Sequence, residues 1–201
     1  MSDADISGEP TVRMTRAELA AATKERIVTG AQQLLQEQPY EDVTLVGIAA
    51  AARVSHQTVL NHFESKDGVI LAVLDALRQQ TAAVLSRPQP GDVKSVVRAL
   101  VGTYEMVGDI VVGWLSSSQH SAESEQAMTD GRGRHQQWLE KMFADALPTG
   151  IATRRRMVTG LEAATDIYVW KLLRRDLRRS RAATEDVMGD LVFGVLNGPY
   201  K

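Results

Sequence analysis

The 201-residue sequence predicts an all-α fold from three features: where its prolines fall, how its apolar residues are spaced, and how often capping side chains precede apolar runs. Prolines stand at 10, 39, 88, 90, 148 and 199, which leaves 40–87, 91–147 and 149–198 free of them. A proline inside a helix costs ~3 kcal/mol or more, so those three stretches are free to be helical. Within each, apolar residues recur at the helical period rather than alternating. About nine helices and no sheet are expected, with an N-terminal three-helix unit followed by a larger C-terminal helical unit.

The first helix opens on Thr15-Arg16-Ala17-Glu18, a capping box in which the two side chains satisfy each other's orphan amides. Ile27, Ala31, Leu34 and Leu35 continue one face, and Pro39-Tyr40 closes the helix. Three short units follow, each preceded by a hydroxyl: Thr44 before Leu45-Val46-Gly47-Ile48-Ala49, Ser55 before His56-Gln57-Thr58-Val59-Leu60, and Ser65 before a long helix. That long helix carries Val69, Ile70, Val73, Leu74, Leu77, Thr81 and Val84. Arg87-Pro88-Gln89-Pro90-Gly91-Asp92 is a turn with Asp92 placed to cap the next helix.

From Val93 to about Leu115 the helical pattern runs through Val97, Leu100, Val101, Tyr104, Val107 and Val111, interrupted by Gly102, Gly108 and Gly113. Ile110-Val111-Val112 would suit a strand, but no partner strand is evident. Ser116–Ser124 reads as a loop or a poorly capped short helix, and a helix is expected around 131–146. The last two helices are expected at roughly 150–179 and 184–198, separated by Ser180-Arg181-Ala182-Ala183.

Two short helices joined by a turn of about four residues make a helix-turn-helix, whose second member enters a DNA major groove. His56, Gln57, Thr58 and Asn61 on that second helix are suitable readers. Gln and Asn pair bidentately with adenine, and Thr packs a thymine methyl. Thr44, Ser55 and Lys66 lie at helix starts, Arg53 in the turn and His62 toward the end of the second helix, and these side chains with the free amides at the helix starts could hold phosphates. By composition alone the same residues would equally make a solvated face, and His62 would pack beside Phe63.

Thr44, Ile48-Ala49, Ala52, Val54-Ser55, Thr58, His62-Phe63 and Ser65-Lys66 occur in order and spacing as in a known pattern. Residues 15–85 thereby resemble the DNA-binding domain of the tetracycline-repressor (TetR/AcrR) family of bacterial transcription regulators. Two positions depart from that pattern. Arg53 stands where glycine is usual, at a cost of about 1 kcal/mol if its φ is positive. Leu60 replaces a tyrosine whose hydroxyl commonly touches the DNA backbone. The resemblance divides the chain into a flexible arm (1–14), a helix-turn-helix DNA-binding domain (15–66), a connecting helix (67–85) and a ligand-binding and dimerisation domain (86–201). Arg13 and Arg16 read either as part of an arm reaching a minor groove or as a tail.

In the C-terminal part, Val187, Met188, Leu191, Val192, Val195 and Leu196 form a narrow stripe like a helix–helix seam. Met157, Leu161, Ala164, Tyr168 and Leu172 lie on one line of the preceding helix, with Trp170, Leu173 and Leu177 on another. Such a two-faced helix suits packing both inside its subunit and against a partner, with burial inside the subunit alone as the competing reading. The resemblance implies a homodimer through these last two helices and a small-molecule pocket between the central ones. Tyr104, Trp114, Trp138, Met142, Phe143 and Tyr168 are the pocket candidates, with the three glycines leaving room. Glu162 and Asp166, read as i,i+4 on one helix, would suit a cationic ligand. Plain core and surface exposure are the competing readings of these residues.

The remaining counts are exclusions. The chain has no cysteine, which removes disulfides, thiolate metal sites and cysteine nucleophiles. The four histidines show no metal spacing, and no P-loop, Gly-x-Ser-x-Gly or His-Glu-x-x-His occurs. No enzyme activity, cofactor or metal is expected. Short apolar runs and an acidic start argue against a membrane span or a secretory signal, so a cytoplasmic protein is expected.

Residues 1–66 carry 6 basic and 9 acidic groups, 67–150 carry 7 and 10, and 151–201 carry 10 and 6, for a net of −2. The basic excess in Arg154-Arg155-Arg156, Arg174-Arg175, Arg178-Arg179 and Arg181 reads as a solvated helical face rather than a second nucleic-acid site. Near-neutral totals predict weak non-specific DNA affinity and dependence on base contacts. The expected function is a ligand-released repressor that binds a palindromic double-stranded DNA operator as a dimer, with an effector the residues do not identify. A DNA-independent helical carrier or scavenger of small molecules is the alternative.

Overall fold

The computed structural model describes residues 15–117 and 121–198; Arg13, His120 and the expected arm 1–14 lie outside them. The described residues contain helices and no strand. In order these are α1 (Arg16–Glu37), α2 (Leu45–Ala52), α3 (His56–Phe63), α4 (Lys66–Leu85), α5 (Val93–Leu115), α6 (Ala122–Met142), α7 (Ile151–Ala164), α8 (Ile167–Lys171) and α9 (Arg181–Asn197). A π-helical turn, Leu172–Asp176, continues α8.

Local capping sets most of the boundaries. Thr15 and Glu18 form the reciprocal box at α1. Thr44, Ser55, Ser65 and Asp92 accept from the backbone N–H three residues on, at Gly47, Thr58, Gly68 and Ser95. The β-branched 110–112 segment is helical inside α5, where Ile110 and Val112 are buried.

Two apolar cores share α5 as a spine. Ile27, Ala31, Ile48, Val59, Val69, Ile70 and Val73 fill the first, which also takes Val107, Ile110 and Trp114 from the C-terminal half of α5. Val96, Val97, Leu100 and Val101 from its N-terminal half join Leu139, Phe143, Met157, Leu161, Trp170, Met188 and Val192 in the second. At ~1.5 Å per residue, the spine is long enough to serve both. Among the described residues α4 is long and apolar enough to cross a membrane, yet Val69, Ile70, Val73 and Leu77 are buried against the first core.

Three expectations about the helices are corrected. The helix expected at 131–146 runs instead from Ala122 to Met142, because Ser121 caps a polar first half that carries little apolar signal. The last helix begins at Arg181, not 184, since Ser180 accepts from Ala183 N–H and caps it.

The single helix expected over 150–179 breaks at Thr165. There the Thr165 hydroxyl bonds back to the Leu161 carbonyl at 2.7 Å, and its own carbonyl accepts from the Tyr104 hydroxyl at 2.9 Å. Asp166 then caps a new helix. The break and the π turn rotate the register. Met157, Leu161, Ala164, Trp170 and Leu173 are buried, whereas Tyr168, Leu172 and Leu177 are about half exposed.

Candidate nucleic-acid interface

The helix-turn-helix is built by close approach. Gly30 of α1 is buried against the start of the turn, and a Cβ there would lie 3.1 Å from the Ala52 nitrogen. Ile48, Ala49, Ala52 and Val59 seal α2 against α3 and α1. The turn between them is left-handed at Arg53, φ 53° and ψ 48°, at a cost of about 1–2 kcal/mol for a residue with a Cβ. Arg53 N–H bonds the Ala50 carbonyl and Val54 N–H the Ala49 carbonyl, so the strained residue terminates α2 with its carbonyls satisfied.

This geometry leaves a polar row on α3. His56, Gln57 and Asn61 are exposed, as are Thr44, Arg53 and Ser55 beside them. Gln57 Nε2 donates to Asn61 Oδ1 at 2.9 Å, so the two amides are aligned on one face. Thr58 is half-buried, with its hydroxyl 2.8 Å from the Ser55 hydroxyl; the cap thus holds the first turn of α3 rigid. His62 is half-buried beside the Phe63 ring, 6.3 Å between centroids.

Lys66 is placed differently from a free phosphate ligand. Its ammonium donates to the Tyr40 carbonyl at 2.7 Å and lies 4.1 Å from the centre of the Tyr40 ring. Burial lowers its pKa against the pull of Glu41, Asp67 and Asp42. Its head group braces the loop after α1.

Sequence reasoning missed the tie beside it. Asp67 accepts from Ser121 N–H at 2.9 Å, from the Ser124 hydroxyl at 3.0 Å and from the Tyr40 hydroxyl at 3.4 Å. Burial raises the Asp67 pKa, but these donors outweigh it and the carboxyl stays below its ordinary value. Burial first, then the adjacent Asp67, pushes the Tyr40 phenol up to about 12. The reader unit is thereby bonded to the start of α6. Pro39-Tyr40 was legible only as a helix end, because the partners of Tyr40 are distant in sequence.

Of the residues expected to line a small-molecule pocket, Tyr104, Trp138, Met142 and Phe143 gather in or against the second core, and Trp114 and Tyr168 do not join them. Trp114 belongs to the first core, while Met142 and Phe143 are packed in the second. Trp138 flanks the second core and donates its Nε1–H to the Leu85 carbonyl. Tyr168 faces outward at 47% exposure. Glu162 and Asp166 flank the Thr165 break and so do not share one helix. Burial, helped by Glu140, raises the Glu162 pKa.

Side chains approach each of the three glycines. Trp170 sits over Gly108, Arg181 over Gly102, and Tyr40 beside Gly113. The two concavities described, one along α6 and α7 and one at the α4–α5 turn, are lined by none of the aromatic, methionine or acidic candidates, and the second is lined in part by Gly102. The basic excess is partly neutralised inside the fold. Arg174 forks onto Glu105 at 2.5 and 3.0 Å, and Arg175 onto Asp109 at 2.7 Å through both nitrogens.

A polar cluster forms at the break instead. Because the Thr165 hydroxyl proton is committed to Leu161, His135 Nε2 carries a proton and donates to Thr165 Oγ1 at 2.9 Å. Burial lowers the His135 pKa, opposed by Asp166. A histidine held neutral in the fold binds a proton more readily when unfolded, so stability is full above about pH 6.5 and falls as pH drops below it. Urea unfolding at pH 7.5 and 5.5 is expected to show this decline, and His135→Gln to diminish it. An unchanged difference would mean that His135 does not contribute.

Residues 27–73 match the model of a family described as bacterial regulatory proteins, tetR family. No curated protein sequence matches the chain. Among solved structures, a transcriptional regulator from Rhodococcus sp. Rha1 is 17% identical, with a TM-score of 0.71 over 87% of this chain and 96% of that one. NalD of Pseudomonas aeruginosa, the secondary repressor of the MexAB-OprM multidrug efflux pump, is 17% identical, with a TM-score of 0.64 over 87% and 97%. The multidrug binding protein EbrR, complexed with imidazole, is 17% identical, with a TM-score of 0.58 over 84% and 93%. At these identities the structures share the fold, and the likeness to the family rests on the N-terminal match. Over residues 27–73 the chain is similar to the tetR family of bacterial regulatory proteins.

Proposed function

We propose that this protein is a cytoplasmic transcriptional repressor that binds a palindromic operator as a homodimer and is released by a small molecule. The observation that carries the reading is the exposed polar row of His56, Gln57 and Asn61 on α3, held beyond a left-handed turn in a tetR-family domain. NalD, which shares the fold, is a repressor by its description. Two copies of α3 would enter successive major grooves ~34 Å apart. Thr44, Ser55, Arg53 and His62 would contact phosphates, while Gln57, Thr58 and Asn61 read bases. Release requires an effector that prefers the non-binding arrangement, since equal affinity for both shifts nothing.

Dimerisation is supported by an apolar surface on the last elements. Tyr168, Leu172, Leu177, Val187, Leu191 and Phe193 are between 40% and 61% exposed. Such a surface, unpartnered within the chain, suits a second copy.

Thr58→Ala and Asn61→Ala are expected to weaken binding to the gene's own upstream region by about 10–100-fold each. A salt-titrated gel shift measures this, with circular dichroism and sedimentation reporting intact folding and dimerisation. Unchanged affinity in both variants would remove α3 as the reader. No specific shift for the parent protein at physiological salt would favour the carrier reading.

A further inference from the structure

We propose that the concavity at the α4–α5 turn is a binding site for a phosphate monoester. The trough is an open concavity of about 740 Å³ between the turn, the first turns of α5 and the start of α9. It is lined by four cationic side chains, Arg87, Lys94, Arg98 and Arg181. The α3 reader lies in a different part of the chain, so this site stands independently of DNA recognition.

The charge placement is the primary argument. Lys94 and Arg98 occupy the first turns of α5, and Arg181 is the first residue of α9. A helix N-terminus carries partial positive charge, so acids stabilise it and bases there cost stability. Neither helix has an acid in its first turn, whereas α6 has two, Glu123 and Glu125. The start of α9, capped by the neutral Ser180, and four cations therefore add positive field in one trough, while Asp92 offsets that of the α5 start.

The countercharges are few. Asp92 lines the trough and is engaged in capping Ser95 N–H. Glu185 lies 2.8 Å from Arg181 Nε and 3.8 Å from Arg98 Nε. Arg87 and Lys94 have no carboxylate partner among the described residues. Gly102 matters to the shape: a Cβ there would be 3.2 Å from the Arg181 guanidinium, so its absence lets that group lie over α5.

Ligand class follows from these features. Guanidinium forks match phosphate oxygens bidentately, and a dianion gains more than a monoanion from converging cations. Val84, Pro88 and Ala99 give the same trough apolar wall. Its volume exceeds what one inorganic phosphate fills and falls in the range of small-molecule sites. An organic body esterified to phosphate uses both features.

Calorimetry of the full chain at fixed ionic strength tests this with phenyl phosphate and with inorganic phosphate. Vesicles of phosphatidylcholine with and without phosphatidic acid test a lipid source. Saturable binding of phenyl phosphate, one per chain and tighter than inorganic phosphate, is expected. The double variant Arg87→Ala/Lys94→Ala is expected to weaken it about tenfold. Glu185→Gln is expected to tighten it, because two guanidiniums lose their competing carboxylate. Arg132→Ala on α6 is expected to leave it unchanged.

Binding confined to phosphatidic acid vesicles and lost in the double variant would assign the phosphate to a lipid headgroup. Absence of binding to every probe would overturn the proposal. So would an equal loss in the Arg132 variant, which would mean diffuse surface charge. Arg87, Lys94 and Arg132 are exposed and Glu185 is partly so, and circular dichroism checks that each variant folds.

Discussion

Trp170→Ala is expected to lower the unfolding free energy by about 3–5 kcal/mol, the range for truncating a fully buried aromatic residue. The indole has no exposed surface and stands directly on the α5 backbone, since a Cβ at Gly108 would lie 2.4 Å from its ring. It also joins charges to the core. Its Nε1–H donates to Glu105 at 2.9 Å, the same carboxylate that Arg174 grips, and the Arg175 guanidinium lies 4.6 Å from the ring centre. Arg174 and neighbouring Trp170 hold the Glu105 carboxyl below its ordinary pKa, against the opposing effect of burial. Alanine would leave a void that α5 cannot fill from a glycine. Urea denaturation measures the effect, and a loss below about 1 kcal/mol, ordinary for a random substitution, would show that the indole does not key α8 onto α5.

Leu191→Glu and Phe193→Glu are expected to convert a dimer into monomers without unfolding the chain. Both side chains are substantially exposed, at 45% and 61%, so a charge is tolerated in the isolated subunit. In a two-fold interface each change counts twice, and each apolar side chain lost contributes ~1.5–3 kcal/mol. The association constant should therefore fall by more than about 100-fold. Sedimentation equilibrium measures it. Ile151→Glu, at an 88% exposed position on α7, should leave association unchanged. Dimers persisting in both variants would place the interface elsewhere. Monomers should also lose operator affinity, because each α3 would then engage only a half-site.

The caps show which features were legible. Thr15 with Glu18, and Thr44, Ser55, Ser65 and Asp92, each act within three residues, so their spacing alone placed the starts of α1 to α5. The turn residue Arg53 was legible for the same reason: a pattern that usually carries glycine demanded a positive φ, and the backbone has it. The candidate reader residues followed from the second short helix and its polar face.

Where distant partners decide, periodicity misled. The Thr165 break depends on the Tyr104 hydroxyl, 61 residues away, so Ala163-Ala164-Thr165-Asp166 looked like uninterrupted helix. Once that break moved the register, Trp170 turned inward and Tyr168 outward, so Tyr168 parted from Tyr104, Trp138, Met142 and Phe143 at the second core. The C-terminal stripe likewise divided, with Met188, Val192 and Leu196 buried while Val187 and Leu191 face out. Of the glycines that read as room for a ligand, Gly108 and Gly113 are contact points for Trp170 and Tyr40, and Gly102 lines the α4–α5 trough under Arg181.

Proline placement, capping and helical period thus settled the all-helical class and the helix-turn-helix, because each acts over a few neighbouring residues. Only the tertiary structure decided how the C-terminal helices are broken, which apolar residues are left for a partner, and where the Lys66 and Asp67 side chains are bonded. Those outcomes turn on hydrogen bonds and side-chain volumes meeting across tens of residues, which no local spacing records.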